Sequence, residues 1–158
     1  MMMTDKNRRA TKRVLAVASG GGHWVQLMRL RPAFEGLDVA FVSVNAFRRD
    51  EVRGHRFFTL PDASRWNKHM FVPMAFKILW ILLLVRPHVV VTTGSAPGYA
   101  TLQLARLFGS RTVWIDSISQ IEALSMSGRL AGKVADLWLT QWPHLASPQG
   151  PQYSGSVL

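Results

Sequence analysis

A histidine that follows three consecutive glycines is the strongest chemical signal in this chain. Gly20, Gly21 and Gly22 stand between Ser19 and His23. Consecutive glycines let the backbone turn sharply and present N–H groups to an anion. The imidazole of a histidine can take up or release a proton near neutral pH. The segment therefore predicts a site that binds a phosphate or pyrophosphate and can transfer a proton.

A second glycine-bearing turn has the same setting. The apolar run at 89–91 leads through two threonines into Gly94 and Ser95, and a helical pattern follows. In an open parallel sheet, ligands bind at the carboxyl ends of the strands, near a switch in strand order. We therefore expect Gly94 and Ser95 to share one substrate site with the glycines before His23, although Ser95 could instead simply cap the next helix.

A carboxylate completes the set of candidates. Asp116 and Ser117 follow another apolar run, so they too belong at a strand end. From there Asp116 could orient His23 or bind a sugar hydroxyl, and Ser117 could contact substrate. An ordinary helix N-cap explains Asp116 equally well, and the residues alone leave these alternatives open.

Several other chemistries find no support. Val25 occupies the place of the third glycine of a dinucleotide fingerprint, and Asn45 stands where that motif needs an acidic residue. The phosphate-loop and Gly-x-Ser-x-Gly patterns are both missing. Cysteine is absent, and the histidines and acidic residues are too scattered to suggest a metal site. We expect neither a metal nor a cofactor.

The charge of the chain limits its partners. Its formal net charge is +10, and Lys and Arg cluster in the first thirteen residues and again at 48–56. A positive field attracts nucleic acid, anionic lipid or a phosphorylated substrate, so charge alone does not choose among them. Residues 1–12 read as a basic tail without the apolar core of a secretory signal. Nucleic acid is not expected, since no aromatic residues are interleaved with the basic ones.

The elements that must position these residues alternate between strand and helix. This order predicts an α/β fold with a Rossmann-like, doubly wound parallel sheet. We expect strands near 14–18, 39–44, 56–60, 88–93, 111–115 and 136–140, and helices near 24–30, 71–85, 98–108 and 118–131. Residues 13–145 would form this lobe. The Pro-, Gly- and Ser-rich stretch 146–158 is expected to be an extended tail rather than a packed element.

The helix predicted at 71–85 is unusually apolar. Only Pro73 and Lys77 interrupt it, and at 1.5 Å per residue it would span about 22 Å, which is short of a membrane's hydrocarbon core. Basic residues flank both ends. The helix could be an ordinary crossover packed on the sheet, or it could contact a membrane surface through Phe76, Trp80 and Leu83; we favour membrane contact.

Together these segments resemble a known family, the membrane-associated subunit of bipartite glycosyltransferases. That family includes the eukaryotic second-step N-acetylglucosaminyltransferase of dolichol-linked oligosaccharide synthesis and bacterial exopolysaccharide and capsule enzymes. The resemblance covers about residues 13–158. It rests on Ser19–His23 with Leu27, Arg86–Val91, Asp116–Ser117, Leu124–Leu130, Ala135–Asp136, Gln141–Leu145 and Tyr153-x-Gly155-x-x-Leu158.

The resemblance implies half an enzyme. Family members are similar to the N-terminal lobe of a GT-B glycosyltransferase, which holds a lipid-linked acceptor, while the UDP-sugar binds a second lobe. We therefore expect a heterodimer with a small donor-binding subunit. The resemblance assigns the docking of that partner to the tail, with Tyr153, Gly155 and Leu158.

The sequence departs from the family in three places. The family often has Glu at the position of Asp116 and a basic residue near Gln120. Eukaryotic members also begin with a transmembrane helix, for which the basic start of this sequence offers no match. Attachment as a peripheral protein at the cytoplasmic membrane face would then fall to the helix at 71–85 and the basic N-terminus.

The resemblance implies transfer of a sugar from a UDP-sugar to a polyprenyl-pyrophosphate-linked saccharide, and we expect the transfer to be inverting. His23 would be the base, the amides of Gly20, Gly21 and Gly22 would hold an anionic group, and Asp116 would orient the base or the sugar. Two alternatives remain. The chain could be a non-catalytic subunit that recruits the acceptor, or a basic module that binds a membrane or nucleic acid.

Overall fold

The fold is built on one sheet of seven strands, all of them parallel, in the order β3-β2-β1-β4-β5-β6-β7. The computed structural model describes residues 10–64 and 66–157. The strands are β1 Arg13–Val17, β2 Asp38–Ser43, β3 Arg56–Thr59, β4 Val89–Thr92, β5 Arg111–Ile115, β6 Leu137–Thr140 and β7 Gln152–Tyr153. The predicted α/β fold and its first six strands are confirmed.

The helices connect these strands. They are α1 Gly22–Arg29, α2 Phe71–Val85, α3 Ala96–Leu107 and α4 Met126–Ala131, and short 3-10 turns cover Arg31–Phe34, Ala46–Val52, Lys68–Met70 and Pro143–Leu145. The order of the strands reverses at β1, which has β2 on one side and β4 on the other. Because α1 follows β1 and α3 follows β4, both helices begin at this switch point, where open α/β sheets bind ligands.

Each face of the sheet has its own hydrophobic core. On one face α2, α3 and α4 cover a cluster that includes Leu15, Ile78 and Trp114. On the other face, α1 buries Trp24 and Leu27 against β1 and β2. Alternate residues of β1 feed the two clusters, since neighbouring side chains in a strand point to opposite faces. The apolar runs in the sequence are therefore strands buried on both sides.

The helix predicted at 118–131 is only half correct. Residues 126–131 form α4, whereas 118–125 are irregular. Asp116 explains the difference, because its carboxylate accepts hydrogen bonds from the backbone N–H and the hydroxyl of Ser125, at 2.9 and 2.6 Å. These bonds fold the intervening segment back as a loop. Ser125 caps α4 instead, by accepting a hydrogen bond from the Gly128 N–H at 2.8 Å.

The C-terminal stretch is packed, contrary to the expected extended tail. Residues Gln152–Tyr153 add β7 to the edge of the sheet in parallel register with β6. The Val157 N–H then donates to the side chain of Gln141 at 2.9 Å, and Arg29 donates to the Val157 carbonyl at 3.0 Å. Proline and glycine in this stretch shape its turns but do not prevent it from pairing. Its last residue, Leu158, lies outside the described residues.

The apolar helix both packs on the sheet and exposes an apolar face. Met74, Ile78, Ile81, Leu82 and Val85 of α2 are buried in the core. Val72, Phe76, Trp80, Leu83 and Leu84 face outward. The packing alternative is confirmed, since α2 is a crossover helix on the sheet. Membrane contact through its exposed side, where the Trp80 ring also contacts Phe58, stays a prediction.

A 3-10 turn lengthens this apolar segment, although α2 itself has the predicted bounds. The 3-10 turn before α2 extends it to 18 residues, Lys68–Val85, with a mean hydropathy of 1.7. By length and composition alone this 18-residue segment is long and apolar enough to cross a membrane, whereas the expectation of too short a span concerned 71–85 alone. Its buried face, however, belongs to the sheet's core.

Candidate functional site

His23 lies at the start of α1 and is locked to the end of β4. Its ring nitrogen Nδ1 lies 2.9 Å from the Thr93 carbonyl oxygen, and the Thr93 hydroxyl donates to the His23 carbonyl at 2.6 Å. A carbonyl can only accept, so Nδ1 carries the proton in the neutral ring. The other nitrogen, Nε2, then keeps a free lone pair. This tautomer suits a base.

The missing side chain of Gly94 makes room for that ring. A Cβ built on Gly94 would lie 2.8 Å from both Nδ1 and Cε1 of His23, which is closer than real Cβ contacts come. Gly94 also has a φ of +121°, a conformation that residues with side chains rarely adopt. The expectation that the two glycine loops meet at one edge of the sheet is confirmed, with His23 at their junction.

Ser95 does not cap the helix that follows it. It stands at the N-cap position of α3 with a φ of +79°, and its side chain makes no capping hydrogen bond. Its hydroxyl oxygen is buried and has no hydrogen-bond partner among the described residues. Strained backbone and an unpaired buried hydroxyl together are typical of a binding site rather than of a structural turn.

The glycine loop that precedes His23, residues 20–22, is held in place by residues at and just before the 3-10 turn Ala46–Val52. Two nitrogens of Arg48, Nε and Nη2, donate to the Gly20 carbonyl at 3.0 and 2.8 Å. Gly20 also packs against Asn45, because an added Cβ would lie 2.6 Å from that residue's Cβ. Gly21 and Gly22 are exposed. Since α1 begins at Gly22, the amides of Gly22 and His23 have no partner within the helix and remain available to an anion.

An acidic residue, Glu51, holds Arg48 in place. We call Arg48 and Glu51 the brace on the glycine loop. Glu51 forms an ion pair with Arg48 at 2.6 Å and accepts a hydrogen bond from the Trp24 indole N–H at 2.9 Å. The hydrogen bond from Arg48, followed by that from Trp24, holds the pKa of Glu51 below its ordinary value. Glu51 thus links Arg48, which binds the Gly20 carbonyl, to Trp24, which is buried in the core. Sequence analysis missed both Arg48 and Glu51 because they appeared only as parts of a charged segment.

The Asp116 carboxylate does not bind His23, which it was predicted to orient. It is 1% exposed, and its carboxylate accepts hydrogen bonds from Trp114 and from both donors of Ser125. The Thr93 carbonyl occupies the position expected for it beside Nδ1 of His23. The prediction that Asp116 orients this base is therefore wrong, and so is the capping alternative in its simple form, since Ser125 provides the cap. Asp116 is instead the anchor of the loop after β5.

Ser117 is engaged by the protein as well. Its hydroxyl accepts a hydrogen bond from the side chain of Gln26 at 3.0 Å and contacts the Ser119 hydroxyl at 2.9 Å. Ser117 is buried. It therefore positions the loop and offers no free group to a substrate in this structure. Ser19, in contrast, is half-buried beside the exposed glycines.

A buried amide network runs beneath the site to the C-terminus. Gln26 of α1 accepts hydrogen bonds from the Ile118 N–H at 3.0 Å and from Gln141 at 2.6 Å. Gln141 also donates to the Asp116 carbonyl at 2.9 Å and accepts from the Val157 N–H. One connected set of bonds thus joins the helix that begins next to His23 with the C-terminal strand segment. Sequence analysis missed Gln26, although a polar residue on the buried side of an otherwise apolar helix is a signal that it could have used.

Metal chemistry has no candidate ligands here. Within residues 10–64 and 66–157, no three His, Cys, Asp or Glu side chains come close enough to hold an ion. The site's cationic and polar character comes from Arg48, the helix N-terminus, Ser95 and the imidazole of His23. Such a set can bind an anion and accept a proton.

This fold and site define one lobe of the GT-B type. The structure of MurG from Acinetobacter baumannii superposes with a TM-score of 0.74 at 15% identity, covering 91% of this chain and 46% of MurG. A UDP-N-acetylglucosamine 2-epimerase from Rickettsia bellii gives a TM-score of 0.69 at 12% identity, covering 93% of this chain and 45% of the epimerase. The chain spans less than half of either protein.

Sequence comparison identifies the family. Residues 67–157 match the model described as oligosaccharide biosynthesis protein Alg14 like, and the chain belongs to that family. It is similar to "UDP-N-acetylglucosamine transferase subunit ALG14" of Yarrowia lipolytica, 34% identical over 152 residues that cover 92% of this chain and 67% of that protein. The protein of the same name from Eremothecium gossypii is 41% identical over 66 residues, 38% of this chain and 30% of its own length. The predicted membership is confirmed for the eukaryotic side of the family.

Proposed function

We propose that this protein is the acceptor-binding subunit of a two-chain glycosyltransferase that acts on a lipid-linked saccharide. The observation that carries the proposal is His23, held between two glycine loops at the switch point of a GT-B-like lobe with Nε2 unpaired among the described residues. The names of the family and of its relatives support a transferase subunit of oligosaccharide biosynthesis.

The reaction is an inverting displacement. The acceptor hydroxyl oxygen forms a bond to the anomeric carbon of the UDP-sugar, and the bond from that carbon to the diphosphate oxygen breaks. Nε2 of His23 takes the hydroxyl proton, and the electron pair of the broken bond leaves with UDP. The tautomer set by the Thr93 carbonyl suits this step. Asp116 acts as a positioning residue, through the loop that it anchors.

The substrate-binding groups follow from what is free at the site. The amides of Gly21, Gly22 and His23, at the positive end of α1, bind the pyrophosphate of a polyprenyl-pyrophosphate-linked acceptor. Ser19 and the unpaired hydroxyl of Ser95 contact the acceptor's polar groups. Gly20 and Gly94 contribute by allowing the close packing of the two loops. Ser117 serves indirectly, through its bond to Gln26.

The UDP-sugar needs a second chain. The protein covers 46% of MurG, a length that corresponds to one lobe. A small donor-binding subunit supplies the other lobe in a heterodimer, in keeping with relatives whose name describes them as subunits of a transferase. The exposed residues Tyr153 and Gly155 on the C-terminal edge of the sheet dock that partner, together with Leu158. In this arrangement 13–145 is the acceptor lobe, 146–158 the docking segment and 1–12 a basic tail.

The outward face of α2 supports docking of the subunit on a membrane. Phe76, Trp80 and Leu83 are exposed along one side of the helix, and Lys68 and Arg86 flank it. An apolar stripe between basic ends is typical of a helix that lies in the membrane interface. The protein is thus peripheral, on the cytoplasmic face of the cell membrane where a nucleotide-sugar is at hand.

Activity of the reconstituted pair tests the assignment. His23→Ala in the complex should lower kcat by about 10²- to 10⁴-fold with a short-chain, water-soluble acceptor, because loss of a general base typically costs that much. His69→Ala, which removes an exposed imidazole away from the site, is the matched control. If His23→Ala retains near-normal turnover while the complex still forms, the chain is a non-catalytic subunit that recruits the acceptor, and the base lies on the partner.

A further inference from the structure

A cavity lies at the edge of the sheet opposite the candidate site. It measures about 600 Å³ and forms where β1, β4 and β5 begin and where α2 and α3 end. Its lining includes Lys12, Arg13, Arg86, His88, Leu83 and Phe108. The cavity therefore combines cationic side chains with apolar ones, and no role assigned above uses it.

The positive charge of this cavity is uncompensated within the described residues. The described acidic residue next to Lys12 and Arg13 in the sheet is Asp38, and its carboxylate does not line the cavity but pairs with Arg56 at 3.2 Å. No acidic residue lines the cavity. Three cations that share one concave surface without a counter-charge favour an anionic ligand.

One of the three cations also neutralises the end of α2. The Nε of Arg13 donates to the carbonyls of Val85 and Arg86, at 3.1 and 2.8 Å. The C-terminal end of a helix carries partial negative charge, which would repel an anion, and a guanidinium bonded to the last carbonyls offsets it. Lys12 and Arg86 are then left to face the cavity.

His88 responds to the same field. Its Nδ1 accepts a hydrogen bond from the Arg13 backbone N–H at 3.0 Å. Burial, followed by the charges of Arg13 and Lys12, lowers the pKa of His88. An anion in the cavity would offset those charges and move that pKa back upward, so the ring of His88 is a reporter built into the site.

The apolar side of the cavity continues onto the membrane-facing side of α2. Leu83 lines the cavity and is also one of the exposed residues on that side, and exposed Phe108 of the α3 end stands with it. A ligand in the cavity would thus have its charged part among Lys12, Arg13 and Arg86 and its apolar part along Leu83.

We propose that this cavity binds the phosphate of an anionic phospholipid headgroup, with the acyl chains running along Leu83 and Phe108. The site would fix how the lobe sits on the membrane, with α2 flat on the surface. The proposal rests on the membrane docking given under Proposed function and is independent of the role of His23.

Vesicle cosedimentation of the full chain tests it, with phosphatidylcholine vesicles that either contain or lack phosphatidylglycerol. The double variant Lys12→Gln/Arg86→Gln should bind the phosphatidylglycerol vesicles about tenfold more weakly and bind phosphatidylcholine vesicles as the native protein does. Arg53→Gln/Arg129→Gln removes two exposed cations that do not line the cavity, and it should change binding less than twofold. Thermal melts check that both variants fold.

The outcomes separate this proposal from membrane docking itself. If both double variants lose the same affinity, the effect is one of net charge and the cavity is not a headgroup site. If the native protein sediments with neither kind of vesicle, docking through α2 fails and this proposal fails with it. The third arm titrates soluble glycerol 3-phosphate while the NMR signals of His88 are followed. Saturation at millimolar concentration without vesicles would assign the cavity to a soluble phosphate and overturn the lipid assignment.

Discussion

His23 and Thr93 hold each other through two hydrogen bonds although they lie 70 residues apart in the chain. The Thr93 carbonyl accepts from Nδ1 of His23, and the Thr93 hydroxyl donates to the His23 carbonyl. This reciprocal pair joins the turn after β1 to the turn after β4 at the switch point of the sheet. It fixes both the position of the imidazole and the nitrogen that stays free. The pair is therefore the structural core of the proposed active site.

Gly94→Ala should lower kcat by more than its loss of unfolding free energy can explain. The new Cβ would meet the His23 ring at 2.8 Å, so the ring must leave the Thr93 carbonyl. We expect kcat of the reconstituted pair to fall at least tenfold, since a displaced base loses part of a contribution of about 10²–10⁴. Gly54→Ala is the control, because Gly54 has a φ of +88° but nothing within 4 Å of the added Cβ.

Gly54→Ala should lose about 1–2 kcal/mol of unfolding free energy through backbone strain, and Gly94→Ala should lose more because its Cβ also displaces the His23 ring. Chemical denaturation measures both losses, and only Gly94→Ala should also slow turnover. Equal kinetic effects in the two variants would contradict the proposed packing of His23 on Gly94.

Glu51→Gln should weaken the protein at neutral pH and leave it almost unchanged in acid. The pKa of Glu51 is lowered in the folded state, first by the hydrogen bond from Arg48 and then by that from Trp24. Its stabilisation is therefore complete above the pKa of an unfolded-state glutamate, about 4.3, and is lost as the pH falls through the lower folded-state value. Melting temperatures across this range, compared between native and variant proteins, measure the effect.

The matched control is Asp50→Asn, which breaks an exposed ion pair with Arg53. Exposed pairs contribute little to stability, so its melting temperature should stay close to native at every pH. A Glu51→Gln protein that melts at the native temperature at neutral pH would show that the brace on the glycine loop is unimportant for stability.

Gln26 and Gln141 should be energetically coupled. Gln26→Leu leaves the part-buried Ile118 N–H unpaired, which costs about 1–3 kcal/mol. It also removes one hydrogen bond each from the Gln141 amide and the Ser117 hydroxyl, which keep their bonds to the Asp116 carbonyl and to Ser119. A double-mutant cycle with Gln141→Leu should give a coupling energy of about 0.5–3 kcal/mol. Urea denaturation of the four proteins supplies the values.

Hydrogen exchange on the same proteins reports how far the network reaches. Either Leu variant should speed exchange in 150–157 as well as in the loop after β5, because Gln141 holds the Val157 N–H. Gln103→Leu changes an exposed glutamine of α3 and should leave hydrogen exchange unchanged in both regions. Additive free energies with unchanged exchange at 150–157 would mean that the C-terminal segment is independent of the site.

Phe76→Glu should remove most of the membrane affinity. Phe76 is 70% exposed on the outward face of α2, and burying a phenylalanine contributes about 1.5–3 kcal/mol. We expect binding to neutral vesicles to fall at least tenfold, and native binding to persist between 50 and 200 mM salt, where electrostatic nucleic-acid binding would fall steeply. Leu107→Glu on α3 is the control, because Leu107 is 77% exposed but lies off this face. If both variants lose the same vesicle affinity, the outward face of α2 is not the membrane-binding surface.

Local patterns in the sequence were enough for most elements of the fold. Val89–Val91 is a short apolar run, and such runs become strands of a parallel sheet because both of their faces are buried. The helix at Phe71–Val85 was also placed correctly, as were the glycine loops at the strand ends. Each of these features depends on residues that are neighbours in the chain.

Elements that depend on distant partners were missed. The strand Gln152–Tyr153 exists because β6 offers it a free edge, and nothing in its own Pro- and Gly-rich surroundings signals a strand. The segment 118–125 has the composition of a helix but forms a loop because Asp116 binds Ser125. Local propensity is a weak preference of tenths of a kcal/mol per residue, and one buried charged hydrogen bond outweighs it.

The chemistry of the site divides in the same way. The sequence by itself determined which residue types are present at the strand ends, including His23 and its glycines, because turns and strand ends follow local patterns. Only the tertiary structure decided that the Thr93 carbonyl, and not Asp116, holds the imidazole, and that Arg48 holds the Gly20 carbonyl. Those bonds join residues 28 and 70 positions apart. Their geometry is set by the order and register of the strands, which no local pattern contains.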